Sequence, residues 1–243
     1  MSQTAYTLTA TLFELLKHPS WFAKVRAEIQ SAVPDKSRIP SFAEVENLVY
    51  FNAVIQETLR LHPGVVSRMH RISPDEPIVY PQKPGSKGFV LPPGTWTSMT
   101  TLTMHSDPAA FETPQEWHPE RWIENPKSNL RAFIGFSRGS RNCVGYVSLV
   151  PLNFMSGAQH GQYVQIKVTN DTHVGCNRQN MARREMGMVL ATILNRFDIY
   201  QGQDGPTLEL YDTVRERDID CNSEMIIPMP AKGSHSLRVR VRS

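Results

Sequence analysis

Leu8, Leu12, Leu15 and Leu16 recur at helical spacing directly behind the first methionine, and Pro19 closes the run. No capping pattern precedes them, so a helix is expected that is already under way where the chain starts. A second helix is predicted from a Ser20 cap, with Trp21, Val25 and Ile29 on one face, until VPDKSRIP breaks it. Ser41 with Glu44 makes a capping-box pattern and predicts a third helix, whose apolar face runs through Val45, Leu48, Phe51, Ile55 and Leu59 to His62-Pro63. From Val65 to about Thr103 the pattern changes to short β-prone runs (IVY, GFVL, TWTSM) cut by proline and glycine. That is the pattern of a small twisted sheet with a turn at LPPGT. SDPAAFETPQEWHPERWIENP has too few periodic apolar positions for a long helix or strand, and reads as a structured loop.

Composition narrows the class. A chain of 243 residues with 40% hydrophobic and 20% charged residues is that of a globular protein with a substantial core. The net charge of +3 is spread evenly, and the only basic run is the LRVRVRS tail, which reads as a solvated terminal strand, so no nucleic-acid partner is expected. Cys143, Cys176 and Cys221 are odd in number and irregular in spacing, which fits neither a disulfide framework nor zinc knuckles and points to a reducing compartment. The opening MSQTAYTLTATLFELLKHP is interrupted by polar residues and reads as neither a signal peptide nor a membrane span, so no anchor is expected in this chain.

Two groups carry chemistry. Glu57 and Arg60, in ETLR, stand three apart on one helical face, which by itself describes a surface ion pair. They lie on a strongly apolar helix, however, and WHPERW later supplies Arg121, so a buried carboxylate with two guanidinium partners becomes a second reading. The other group is FSRGSRNCVG. Gly139 permits a tight turn, Arg141 offers a planar fork to a carboxylate, and Cys143 can be a thiolate shielded by Phe136. Gly145 lets backbone pass against a flat ligand. A lone cysteine near glycines is ordinarily a small buried hydrophobe, yet here the whole spacing F-x-x-G-x-R-x-C-x-G is met, as in a thiolate-bound haem.

With ETLR, PERW and the cysteine loop in this order, the sequence resembles the cytochrome P450 family, the haem-thiolate monooxygenases, over residues 1–145 and 179–243. The resemblance implies a mainly α fold with a small β subdomain, the C-terminal half of the cytochrome P450 fold. Its parts would be helices over 1–62, a small β region over 63–103, an irregular meander over 104–135 and the ligand loop over 136–145. After an anomalous insertion over 146–178 would come a helix over 179–198 and a C-terminal β region over 199–243. It implies Cys143 as the iron ligand, Arg141 and Arg68 as partners of the haem propionates, and Glu57, Arg60 and Arg121 as a structural triad behind the haem. It also implies insertion of one oxygen atom from dioxygen into a small organic substrate, with electrons from an NADPH-dependent reductase. Family members sit typically on the cytosolic face of the endoplasmic reticulum membrane; without an anchor this chain is expected to be cytoplasmic or of unknown location. Val65, Val66 and residues near 212–222 are the positions expected to contribute to a substrate pocket.

Two departures bear on activity. Counting back from LLKHP, the family's acid–threonine pair on its long central helix aligns with Ser2 and Gln3, leaving Thr4 as the one catalytic candidate. Gly145 is followed by 33 residues, 146–178, before QNMARREMGMVLATILNRFDIY; without them family spacing is restored and Ala182 falls where the family has alanine. Gly145-Tyr146-Val147 can be encoded with GTATGT, Thr169-Asn170 as ACTAAC, and Asn177-Arg178 as AACAGG, with CAG before the final base, which are the ends and branch site of a fungal-type intron. The other reading is a tolerated loop insertion. Cys176, His160 and His173 belong to this stretch and are assigned no metal role. The expectation is a truncated, inactive monooxygenase; the alternative is a non-catalytic fragment or the product of a wrongly delimited gene, with no enzymatic role.

Overall fold

The computed structural model describes residues 3–82, 87–137, 179–224 and 228–242. Helix α1 (Gln3–Lys17) buries Ala10, Phe13, Leu15 and Leu16. Its threonines do not conflict with that burial, because Thr7, Thr9 and Thr11 each donate to the carbonyl four residues back, at 3.1, 2.8 and 2.7 Å.

Helix α2 (Pro19–Ala32) starts one residue before the expected Ser20 cap. Pro19 occupies the first turn, where its missing N–H costs nothing and its fixed φ is already helical, and His18 takes the cap position without a side-chain bond. Trp21, Val25 and Ile29 are buried, as their spacing predicts.

The expected third helix is two. The Ser41–Glu44 capping box forms, but the helix it opens, α3, runs only from Phe42 to Val45, and α4 restarts at Val49 and continues to Leu61. A carboxylate from α2 causes the restart. Glu28 accepts hydrogen bonds from the Val49, Tyr50 and Phe51 amides at 2.6, 3.1 and 2.9 Å, so it satisfies the free N–H groups of α4 and places negative charge at its positive end. Asn52 Nδ2 donates to the Glu46 and Leu48 carbonyls left by the break, at 2.9 and 2.5 Å. At the other end of α4, buried His62 Nε2 lies 2.7 Å from Glu14 Oε1 and ties the helix to α1.

Beyond α4 come strands β1 (Met69–Ile72), β2 (Ile78–Tyr80), β3 (Phe89–Leu91) and β4 (Trp96–Met99). The last three coincide with IVY, GFVL and TWTSM. β1 is an addition, since His70 and Arg71 hide the β-prone pattern in MHRI. β1 pairs antiparallel with β4 and β2 with β3, giving two separate two-stranded ladders. Short helix α5 (Thr101–His105) precedes the proline-marked stretch, α6 (Arg121–Glu124) lies within it and α7 (Pro126–Ala132) starts at its last proline, with turns joining them.

Helix α8 (Gln179–Arg196) packs Leu190, Ala191 and Leu194 against Val25, Ile29 and Val45. Its C-terminal carbonyls are met by cations and amides: Arg26 Nε reaches Leu194 O at 3.2 Å and Gln30 Nε2 reaches Asn195 O at 3.5 Å. The chain then forms β5 (Asp198–Ile199), β6 (Thr207–Leu210), a π-helical turn over Arg215–Ile219, β7 (Ser223–Glu224), β8 (Pro228–Met229) and β9 (Val239–Arg242). β5 runs parallel to β6 and β6 antiparallel to β9. The arginine-rich tail is therefore a paired strand, with Arg242 Nη2 2.8 Å from Glu209 and its guanidinium 4.0 Å from the Tyr200 ring centre.

Candidate functional site

The apolar face of α4 carries an acid and a base into the interior together. Glu57 is 0% and Arg60 1% exposed. Glu57 accepts five hydrogen bonds: from Arg60 Nε (2.9 Å) and Nη2 (2.8 Å), the His118 amide (2.9 Å), Arg121 Nε (3.2 Å) and Trp122 Nε1 (2.8 Å). The remaining donors of Arg60 reach the carbonyls of His105 (3.0 Å), Pro114 (2.7 Å) and Glu116 (2.9 Å). A charge pair this deep is tolerated because each charge is matched and its hydrogen bonds are made. The surface-pair alternative for Glu57 and Arg60 does not describe this geometry.

Arg121 arrives from the start of α6 and donates through Nη1 to Glu112 O at 2.8 Å, while its Nη2 is buried without a partner among the described residues. The bonds from this network to turns at 105, 112, 114, 116 and 118 fold the irregular stretch onto α4, and Phe111, Trp122 and Phe133 pack there with Ala53 and Leu59.

The end of that stretch leads to the cysteine loop, and it is pinned. His105 is 1% exposed; its Nδ1 lies 2.9 Å from Arg60 O, its Nε2 lies 3.0 Å from the Ile134 amide, and its ring stacks on Phe133 at 4.9 Å. A Cβ at Gly135 would meet Phe133 Cζ at 2.5 Å, so the ring lies directly over the backbone there. The Ser137 amide turns back to Ile134 O at 2.8 Å, Ser137 takes a φ of +62°, and Arg71 Nη2 on β1 donates to its hydroxyl at 3.3 Å.

The structure thus brings Glu57, Arg60 and Arg121 together, and packs half-buried Phe136 near Phe133, with ring centres 6.1 Å apart. Arg68, just before β1, is exposed and makes no ion pair among the described residues. Thr4 lies half-buried in the first turn of α1. Ala182 belongs to the first turn of α8. Gly139, Arg141, Cys143 and Gly145, together with the 146–178 stretch, lie outside the described residues. Of the positions expected to line a pocket, Val66 is fully buried and Val65 half-buried.

His105, Trp122, Gly135 and Glu28 are site or support residues that periodicity does not reveal. Each acts through a bond or close approach to a distant segment. PERW does contain Trp122, but only geometry shows its indole N–H on the Glu57 carboxylate.

The family model for cytochrome P450 matches residues 1–147. This chain belongs to the cytochrome P450 family. It is 32% identical to the cytochrome P450 monooxygenase sdnE of Sordaria araneosa over 98% of its length and 38% of that protein's. It is 33% identical to the cytochrome P450 monooxygenase TRI4 of Fusarium sporotrichioides, over 98% of the chain and 38% of the relative. To the fusicoccadiene C-8 hydroxylase of Phomopsis amygdali it is 31% identical, over 99% and 37%. The chain spans about two fifths of the length of the curated P450 relatives it matches. Among the described residues of this P450 chain, no helix is long and apolar enough to cross a membrane, and no group of three or more His, Cys, Asp or Glu is arranged to hold a metal ion.

Proposed function

We propose that the chain carries the haem-ligating part of a haem-thiolate monooxygenase, the C-terminal half of the P450 fold, with Cys143 as the iron ligand. The observation that carries this reading is the pinned entry to the cysteine loop. Ile134 and Gly135 are held by His105 and the Phe133 ring, which rest on Arg60 and Trp122 of the buried Glu57 network, and Ser137 is met by exposed Arg71 from β1. The donor chemistry fits haem: one cysteine in a glycine-bounded loop, and just before β1 an exposed Arg68 guanidinium with no acid partner among the described residues. In this reading Arg68 and Arg141 take the propionates, Phe136 shields the Cys143 sulfur, and Gly139 and Gly145 let backbone approach the ring plane. When bound, haem supplies activation of dioxygen, with electrons from an NADPH-dependent reductase, so that one oxygen atom enters a small organic substrate.

As written, the chain does not complete this reaction. Ser2 and Gln3 stand where the family has its acid and threonine, which leaves Thr4 as a weak substitute for proton delivery. Residues 146–178 separate the ligand loop from α8, whose N-terminal amides would otherwise brace it. The intron reading of that stretch rests on the codons its two ends and Thr169-Asn170 allow. The alternative, a non-catalytic fragment, rests on the same interruption.

The test is the reduced carbon monoxide spectrum after haem addition, recorded with and without residues 146–178. Without them, a thiolate spectrum that disappears in Cys143→Ser is expected; with them, weak haem binding or the spectrum of another ligand. Equal thiolate spectra would make the stretch a tolerated loop. Absence of Cys143-dependent binding in both would leave the non-catalytic fragment.

A further inference from the structure

His105 lies in none of ETLR, PERW and the cysteine loop, yet it connects the first to the segment that leads into the last. Its ring is buried between the α4 backbone and the segment that leads to Cys143, edge-on to Phe111 at 5.9 Å and stacked on Phe133 at an interplanar angle of 11°. The two ring nitrogens face groups of opposite polarity. A carbonyl oxygen, Arg60 O, can only accept, so Nδ1 must carry the proton; an amide N–H, from Ile134, can only donate, so Nε2 must be bare.

We infer that His105 is a positioning residue: held as the neutral Nδ1–H tautomer, it ties Ile134, in the segment that leads into the cysteine loop, to the Arg60 turn of the Glu57–Arg60–Arg121 network. Its consequence at the iron rests on the reading of Cys143 as ligand, whereas the tie itself does not. Burial pushes the imidazole down to about 4, against a smaller opposing effect of its bond to Arg60 O, so the neutral form is the one present at physiological pH.

The arrangement also explains why an aromatic or aliphatic side chain of equal volume would not serve. The Ile134 amide belongs to the turn closed by Ser137 N on Ile134 O at 2.8 Å, and Gly135 lies against the Phe133 ring, so the turn cannot move to find another acceptor. Phe at 105 could keep the stack on Phe133 but would leave a buried carbonyl and a partly buried amide without their partner. The two halves of the imidazole can be separated by amide side chains. Asn places its N–H₂ near the Nδ1 position and can keep the donor to Arg60 O; Gln reaches the Nε2 position and can keep the acceptor for Ile134 N.

The experiment uses the full chain and its His105→Gln, His105→Asn and His105→Phe variants. Nitrogen chemical shifts of the wild-type imidazole at pH 7 should show Nδ1 protonated and Nε2 bare. Amide exchange at Ile134 should speed up at least about tenfold in the Asn and Phe variants and stay within about threefold of wild type in the Gln variant, even where the thermal midpoints of Gln and Asn coincide. Haem titration should rank the four proteins in the same order. An Nε2–H tautomer, an imidazolium at pH 7, or exchange at Ile134 that simply follows overall stability would overturn the inference. If wild type shows no Cys143-dependent haem binding, the monooxygenase reading fails while the exchange order still decides the role of His105.

Discussion

Around α4 the chain hides charge, while on the neighbouring hairpins β1–β4 it leaves apolar side chains in water. Glu57 is 0% exposed, whereas Trp96 is 71% and Val79 62% exposed. Residue-by-residue hydropathy would assign the two regions the other way round. The difference lies in partners. Glu57, Arg60 and Arg121 meet donors and acceptors from six residues of the 105–122 stretch, and the interior can hold them because little hydrogen-bonding capacity is stranded. The strands β1–β4 form two-stranded ladders with nearly all of their side chains exposed, so their β-branched and aromatic residues bury little area and contribute little.

The strongest way to break this comparison is to remove one member of the buried network. Arg60→Ala takes two donors from Glu57 and one from each of three carbonyls, leaving a buried carboxylate undercompensated. A loss of about 3–5 kcal/mol is expected in urea unfolding followed by tryptophan fluorescence. The exposed pair Arg38–Glu44, equally good in geometry, supplies the control: Arg38→Ala should leave the unfolding midpoint where it was. Equal effects at the two sites would remove the distinction between them.

Next in size is a pH effect at His105. Its folded pKa is lowered to about 4 from 6.5, chiefly by burial. A depressed imidazole binds fewer protons folded than unfolded between these values, so its stabilising contribution is complete above 6.5 and is lost as pH falls towards 4. Wild type should therefore lose on the order of 3 kcal/mol relative to His105→Gln between pH 7 and 4, from about 1.4 kcal/mol per pH unit. Parallel stability curves for the two proteins would show an imidazole that titrates as if in water.

How much of this was legible beforehand depends on how far apart the interacting residues lie. Leu15, Val25, Ile29 and Phe51 follow from helical spacing, and the Ser41–Glu44 box is local, so both are readable in the sequence. The break between α3 and α4 is not, because its cause is Glu28 on another helix. At the site, ETLR and PERW name Glu57, Arg60 and Arg121 through family resemblance; spacing alone fits a surface pair equally well. His105 lies in MHSDP with no periodic neighbour, and its two hydrogen-bond partners are 45 and 29 residues away. Strand β1 escapes the pattern because MHRI becomes a strand only by pairing with β4.

A smaller test sharpens the comparison from inside the network. Trp122 places its Nε1–H on Glu57 Oε2 at 2.8 Å while its ring packs against Phe133 at 5.7 Å. Trp122→Phe keeps an aromatic surface and removes one of the carboxylate's five donors. A loss of about 2 kcal/mol is expected from a charge-assisted bond, measured by urea unfolding monitored by circular dichroism. A loss as large as that of Arg60→Ala would mean that packing rather than charge compensation dominates the site.

The smallest effect belongs to the hairpins. Trp96 pairs with Ile72 in register and meets the His70 ring edge-to-face at 5.5 Å and 72°. Replacing it with threonine keeps a β-forming residue and removes a large ring that the folded chain leaves 71% exposed. Little area is returned to water, so the change in unfolding free energy should stay within about 0.5 kcal/mol, as for surface substitutions generally. The same replacement at Trp122 would remove a buried ring and a bond to Glu57 together, so one pair of tryptophan substitutions reads both regions in a single assay. A loss of about 2 kcal/mol or more at Trp96 would show that the hairpins pack as part of the core, and the contrast with α4 would no longer hold.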